Sequence, residues 1–207
     1  KDAAYQLASG TAQWWMDLTD QAWFDAPEAT EAIRRLRAIE QRLQGMERKT
    51  FGEVLLVVSQ RSVVFMPPRE GLHNATQKML RNWHLSRIGA PFEQLFVEDL
   101  ARRDLSPYRL IIMATPFYLS EREREIVLEA TQRQRRRITV LWTYAPALIR
   151  DTSANIINMQ HLTGLRFNAD YISGELDVEI IRDDHPITQG LPVGMRYGTG
   201  VDREQYL

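Results

Sequence analysis

Ala29, Ile33, Leu36, Ile39 and Leu43 recur at helical spacing, with Glu31, Arg34, Arg35 and Arg42 on the opposite side. That stripe predicts an amphipathic helix over 25–44. Asp25 and Glu28 have the spacing of a capping box, Pro27 suits the first turn, and Gly45 suits the end. After the polar joint 47–50 the pattern changes. EVLLVVS (53–59) is apolar almost throughout and rich in valine, which predicts a strand buried on both faces. A helix is expected over 71–91, closed by Gly89 and Pro91. Short strands follow over 92–100 and 108–116. Ser120 with Glu123 forms a second capping-box pattern and opens a helix running to about 136. A fourth strand is expected over 138–146, a helix over 152–164 and a fifth strand over 177–182, before glycine-rich irregular chain.

Strands alternating with helices predict an α/β domain with a mostly parallel sheet and helices on both faces. In such sheets ligands lie beyond the carboxyl ends of the strands. The positions of interest are therefore 59–63, 115–119 and 143–147. Ser59, Arg61 and Ser62 follow the first strand, where hydroxyls and backbone N–H groups can cradle a phosphate. No glycine-rich fingerprint accompanies them, so an ordinary loop is the plainer reading. Thr115 follows the third strand. Thr143 and Tyr144 follow the fourth, where hydrolytic folds place a nucleophile on a sharp turn. A base would have to come from His161 or His185. Small residues do not flank either hydroxyl, which favours a structural role.

Composition narrows the classes. The 207 residues carry a formal net charge of −1, which gives no bulk electrostatic case for nucleic acid. The basic run at 133–137 falls at an expected helix C-terminus, where cations are favoured. There is no cysteine, which excludes disulfides, thiolate metal sites and a cysteine nucleophile. Asp183, Asp184 and His185 have no partner histidine at metal-ligand spacing, so neither a metal nor a cofactor is expected. No apolar run is long enough to span a bilayer, and no signal-peptide pattern is present; the expected location is cytoplasmic. A start at Lys1 reads as an excised fragment.

Three of the five tryptophans, Trp14, Trp15 and Trp23, crowd into 9–25, where a chain normally frays. The stretches EVLLVVS, HLSRIGAPFEQLFVEDL, LSPYRLIIMATPFYLSEREREIVLEA and ITVLWTYA, with the later DDHPITQGLP, resemble the class I glutamine-amidotransferase-like domain. The resemblance is to the version that family 42 glycoside hydrolases, the β-galactosidases, carry as a trimerisation domain after a (β/α)₈ barrel. The resemblance covers about 50–192. It implies a flavodoxin-like domain over 50–207, catalytically dead because the elbow cysteine is missing, and a barrel's last strand and helix over 1–46. On that reading Trp14, Trp15 and Asp17 edge a carbohydrate site, because aromatics at the end of a barrel strand can stack on a sugar. The implied partners are the upstream barrel and further copies of the chain, as a trimer.

Val63, Val64, Phe65, Met66, Pro67 and Pro68 form an uncharged run, and Phe65 and Met66 are expected at the assembly contact. Two other functions compete with assembly: a sugar or small-molecule binding module using the strand-end crevice, and a hydrolase using Thr143 or Tyr144 with His185.

Overall fold

The computed structural model describes residues 6–7, 25–46, 51–65, 84–133, 137–150, 153–168 and 178–197. The chain divides into two compact units, Lys1–Lys49 and Thr50–Leu207. The expected helix over 71–91 lies outside the described residues as far as 83, as do Trp14, Trp15, Asp17 and Met66.

In the first unit, helix α1 spans Pro27–Leu43. Its cap is Ala26, without a side-chain hydrogen bond, so the Asp25–Glu28 capping box does not form. Proline at the first position sets the start instead: its fixed φ suits the helix and its missing N–H removes one unpaired donor, while Asp25 lies one residue outside the cap position. Gly45 follows the end at φ +81, a backbone conformation that glycine adopts without a Cβ penalty. Ala29, Ile33, Leu36 and Leu43 are half-buried, and none is fully buried. On the wet side Glu31 bonds Arg35 and pairs with Arg34. The hydrogen bond from Arg35 holds the Glu31 carboxyl below its usual range. A depressed carboxylate supports the helix at neutral pH, and that support is lost as the pH falls through its folded value.

The second unit is built on a four-stranded sheet of β1 (Val54–Val58), β2 (Phe92–Phe96), β3 (Leu110–Ala114) and β4 (Thr139–Trp142), in the order β2-β1-β3-β4. All three pairings are parallel, with Val58 opposite both Phe96 and Ala114. β1 is buried at every position, as its unbroken apolar run predicts. Leu55 and Val57 lie in one core with Ile111 and Met113. Ile126, Val127 and Ala130 of helix α3 (Glu121–Arg133) cover that core, together with Leu162 of helix α4 (Ile156–Thr163). Val54, Leu56, Val58, Ile112 and Ala114 form a second core with Leu85. The two sets alternate along β1, as the two-residue strand period requires. At the start of β1, a Cβ on Gly52 would come within 2.9 Å of the Pro91 carbonyl oxygen, so only glycine lets the two segments approach this closely.

Three expectations are corrected. The end of the 71–91 segment is a 3₁₀ turn, Leu85–Arg87, rather than α-helix. A five-residue helix α2, Gln60–Val64, follows β1 directly, although Pro67 and Pro68 argue against a helix starting there. The fifth strand is only β7, Val178–Glu179, and it pairs antiparallel with β8, Arg196–Tyr197, instead of extending the sheet. In chain order a small hairpin of β5 (Ile149–Arg150) and β6 (Ser153–Ala154) comes between β4 and these strands. The last predicted helix is present as α4, capped by Asn155 and closed by Gly164 at φ +72.

Candidate functional site at the strand ends

β1 lies between β2 and β3, so the chain leaves it in one direction to reach β2 and later returns on the other side. Such a reversal is where open α/β sheets bind ligands, beyond the carboxyl ends of β1 and β3. Ser59 and Ser62 follow β1 there, and Thr115 to Ser120 follow β3.

These hydroxyls are spent on the fold. Ser59 caps α2, its Oγ accepting from the Ser62 N–H at 3.1 Å. The Ser62 Oγ accepts from the Tyr118 N–H at 3.1 Å and lies 2.8 Å from the Tyr118 carbonyl oxygen. Ser59 Oγ donates to the same carbonyl at 3.2 Å. Ser59 and Ser62 are buried, and together they clasp the loop after β3 to the loop after β1. Thr143 makes the matching clasp to β4. Its Oγ1 accepts from the Thr115 N–H at 2.9 Å and donates to the Met113 carbonyl at 2.9 Å. Beyond the clasp the two loops keep running together, with the Ala147 N–H on the Pro116 carbonyl at 2.7 Å and the Ile149 N–H on the Phe117 carbonyl at 2.8 Å.

The backbone here is strained. Thr115, Tyr144, Ala145 and Ala147 have φ of 46, 45, 21 and 55°, although none is glycine. Left-handed backbone costs a residue with a Cβ about 1–2 kcal/mol, so the surrounding bonds must hold it in place. Thr143→Val keeps the shape of the side chain and removes the clasp, leaving the Thr115 N–H without that acceptor. We expect a loss of about 1–3 kcal/mol in chemical denaturation. An unchanged midpoint would show that the strain at Thr115 is held by other contacts.

The strain carries Tyr144 outward. It is 53% exposed and meets Phe117 edge-on at 6.2 Å between ring centres. Tyr118, the next residue, stacks on Phe65 at 4.4 Å. Phe65 and Val64 are 54% and 82% exposed. Two aromatic pairs therefore form a broken ridge at the ends of β1, β3 and β4: Phe65 on Tyr118, beside Val64, and Tyr144 on the buried Phe117.

The start of α3 holds a buried acid. Ser120 and Glu123 form the predicted capping box at the start of α3. The Glu123 Oε2 accepts from the Ser120 N–H at 2.7 Å and from its hydroxyl at 2.6 Å. Arg61 Nε lies 3.3 Å from the same oxygen; its side chain is 57% exposed, that of Glu123 only 3%. The other carboxylate oxygen, Oε1, is buried and has no hydrogen-bond partner among the described residues. Nearby, Glu121 pairs with Arg150 at 2.5 Å, and Arg124 reaches the Asn158 carbonyl at 3.4 Å, tying the start of α3 to β5 and α4.

No protein-family model, curated protein or solved structure matches this chain.

Of the positions expected to carry chemistry, Ser59, Arg61, Ser62, Thr115, Thr143 and Tyr144 do converge on the strand ends. Among the described residues neither Thr143 nor Tyr144 is hydrogen-bonded to a histidine. His185 Nδ1 accepts from the Ile187 N–H at 3.2 Å within its own turn, and Asp184 pairs with Arg182 at 3.3 Å. His161 is exposed on α4. Among the described residues no group of three or more His, Asp or Glu side chains is placed to hold a metal. The sequence reading takes Glu123 only as a cap and gives Tyr118 no role. The signal that could have marked Glu123 was the capping box itself. In such a box the third residue's side chain turns back to the cap's own N–H, here that of Ser120 at the end of the loop after β3.

Proposed function

We propose that the chain is the C-terminal portion of a glycoside-hydrolase-like protein. Residues 1–46 would close a (β/α)₈ barrel, with Trp14, Trp15 and Asp17 at the edge of its carbohydrate site. Residues 50–207 would form a flavodoxin-like, amidotransferase-like domain that assembles copies of the parent and does no chemistry itself. The exposed end of the aromatic ridge, Val64 and Phe65, carries this reading. Ring faces and branched apolar side chains packed side by side at a strand end are what a specific interface uses at its centre. The clasps through Ser62 and Thr143 support it too, since they commit the crevice's hydroxyls to holding the ridge in shape rather than to activating a nucleophile.

The reading predicts a homo-oligomeric parent whose contact buries roughly 1,200 Å² or more in total, with Phe65 and Met66 within it. Phe65→Asp in the longer protein sets a desolvated charge into that contact. Its mass by sedimentation or light scattering is expected to fall to that of the monomer while the circular dichroism spectrum is unchanged. A folded variant that keeps the wild-type mass would sink the assembly role.

A further inference from the structure

Among the described residues, two strands of the second unit each leave one backbone edge unpaired: β4 bonds only to β3, and β7 only to β8. Which groups these edges offer follows from the bonds already made. The Thr139 N–H goes to the Arg109 carbonyl at 2.8 Å and the Thr143 N–H to the Met113 carbonyl at 3.2 Å, so Thr139, Leu141 and Thr143 bond toward β3. By the alternation of a strand, the N–H and C=O groups of Val140 and Trp142 then point out from the open edge. Beside β7, the Ile180 N–H goes to the Met195 carbonyl at 2.9 Å, and the Ile180 carbonyl accepts from the Gly194 N–H at 2.8 Å. Glu179 and Ile181, on either side of it, therefore turn their backbone groups to the open side of β7.

The β4 edge lacks the usual protection. Natural edge strands are kept from pairing by a charge, a proline or a bulge. Ile138 to Trp142 carry no charge and no proline, and Leu141, opposite the buried Ile112, is 48% exposed. The two edges also match each other. Each offers two outward residues at a spacing of two. Set antiparallel, Val140 falls opposite Ile181 and Trp142 opposite Glu179, and both pairs can exchange N–H···O=C bonds in each direction. The same register sets Leu141 opposite Ile180 and Thr139 opposite Arg182. It also brings Arg137, exposed just before β4, opposite Asp184, exposed just after β7, with Asp183 beside it. A parallel order carries both aspartates away from Arg137, so charge selects the antiparallel one. Within one copy β4 and β7 belong to separate sheets, so the complementary edge comes from a second copy.

We propose that β4 of one copy pairs antiparallel with β7 of the next, which extends the sheet across the contact. Ile181 of the second copy covers Val140, and Arg137 meets the aspartate pair. The contact joins two different surfaces, so it is heterologous, the kind that builds rings rather than two-fold dimers. It deepens the assembly reading and rests on it for the premise that copies of the chain meet, but it uses residues other than Phe65.

The chain has no cysteine, so single introduced cysteines report the contact without background. Thr139 and Arg182 are both exposed. As a non-hydrogen-bonded pair their Cα atoms lie roughly 4.5 Å apart across the contact, a span that a disulfide bridges. Thr139→Cys and Arg182→Cys forms of the whole chain are mixed at roughly millimolar concentration, where a contact of a few hydrogen bonds is populated, and oxidised with glutathione disulfide. The mixed disulfide is expected in excess of the statistical mixture. Ile187→Cys, exposed but outside the register, is expected to give no excess with Thr139→Cys. Ile181→Pro removes an outward N–H that the β7–β8 pair does not use. Added to the Arg182→Cys chain, it is expected to bring the mixed disulfide down to the statistical level with the circular dichroism spectrum unchanged. No excess of mixed disulfide overturns the contact, as does an excess that survives Ile181→Pro in a folded chain or is matched by Ile187→Cys. An excess of the Thr139→Cys homodisulfide means a two-fold β4 contact and overturns it as well. A mixed disulfide alongside an unchanged parent mass in Phe65→Asp leaves the edge contact standing and removes Phe65 from assembly; a fallen mass without the mixed disulfide does the reverse.

Discussion

Leu55→Ala is expected to lower the unfolding free energy by about 2–5 kcal/mol. Leu55 is 0% exposed at the second position of β1 and lies opposite both Glu93 and Ile111. β1 is an inner strand, so the backbone around it is bonded on both sides and has little freedom to collapse into a void. Val57, Ile111, Met113 and the α3 residues Val127 and Ala130 share its core. A cavity at this point is therefore bounded by strands on one side and by a helix on the other, and relaxation from either direction would break pairing elsewhere. Domains of this kind have only about 5–15 kcal/mol in hand, so the variant could lose much of its margin. Urea denaturation with an unchanged slope and a shifted midpoint is the measurement. A shift under about 1 kcal/mol would mean that the two faces of the sheet can repack independently.

The central strands were legible because burial on both faces removes the polar alternation that blurs most strands. β1 and β3 are continuous apolar runs, and both were found with ends one or two residues too long. β4 is at the edge of the described sheet, and its exposure alternates. Its strand pattern was readable, but the start of the strained turn after Trp142 was not. The fifth strand failed for a physical reason. Val178 and Ile181 are 64% and 77% exposed, and only Ile180 is buried. β-branched residues favour extended chain, but what a strand pairs with is decided by the face it buries, and this one buries a single side chain. The cap at Asp25 failed on register: the helix starts at Pro27, so Ala26 holds the cap position and Asp25 lies one residue outside it.

The candidate site was legible in its position and not in its wiring. The rule that ligands lie beyond strand ends located Ser59, Ser62, Thr115 and Thr143. A hydroxyl in such a place can serve a ligand or the backbone, and periodicity does not distinguish the two. Ser62 meets Tyr118 across 56 residues of sequence, and no local pattern encodes a contact of that separation. Tyr144 was noted for its hydroxyl, whereas its outward ring, set by a left-handed backbone, is what it contributes to the ridge. Glu123 was assigned to a capping box, which was correct as far as Oε2 goes; the idle Oε1 is a property of the packed structure alone.

Glu123→Ala is expected to destabilise the second unit by about 1–3 kcal/mol, even though it removes a buried oxygen that has no partner. Two opposing terms decide the sign. Deleting the carboxylate abolishes the desolvation cost of Oε1, which favours the variant. It also strips the acceptor from the Ser120 N–H at 2.7 Å and from the Ser120 hydroxyl, and leaves Arg61 without its anion. Loss of a capping interaction alone costs about 0.5–2 kcal/mol, and a part-buried N–H left unpaired adds to it. Arg61 is more than half exposed, so water replaces its lost partner cheaply and the salt bridge contributes little. The loss therefore comes mainly from the start of α3, and Glu123→Gln, which restores the box through its amide oxygen, should recover most of it. Thermal unfolding of the two variants side by side makes the comparison. Equal losses in both would mean that the charge matters and the cap does not. A gain in stability in Glu123→Ala would mean that the idle oxygen outweighs the box, so that the acid is kept at a cost to the fold.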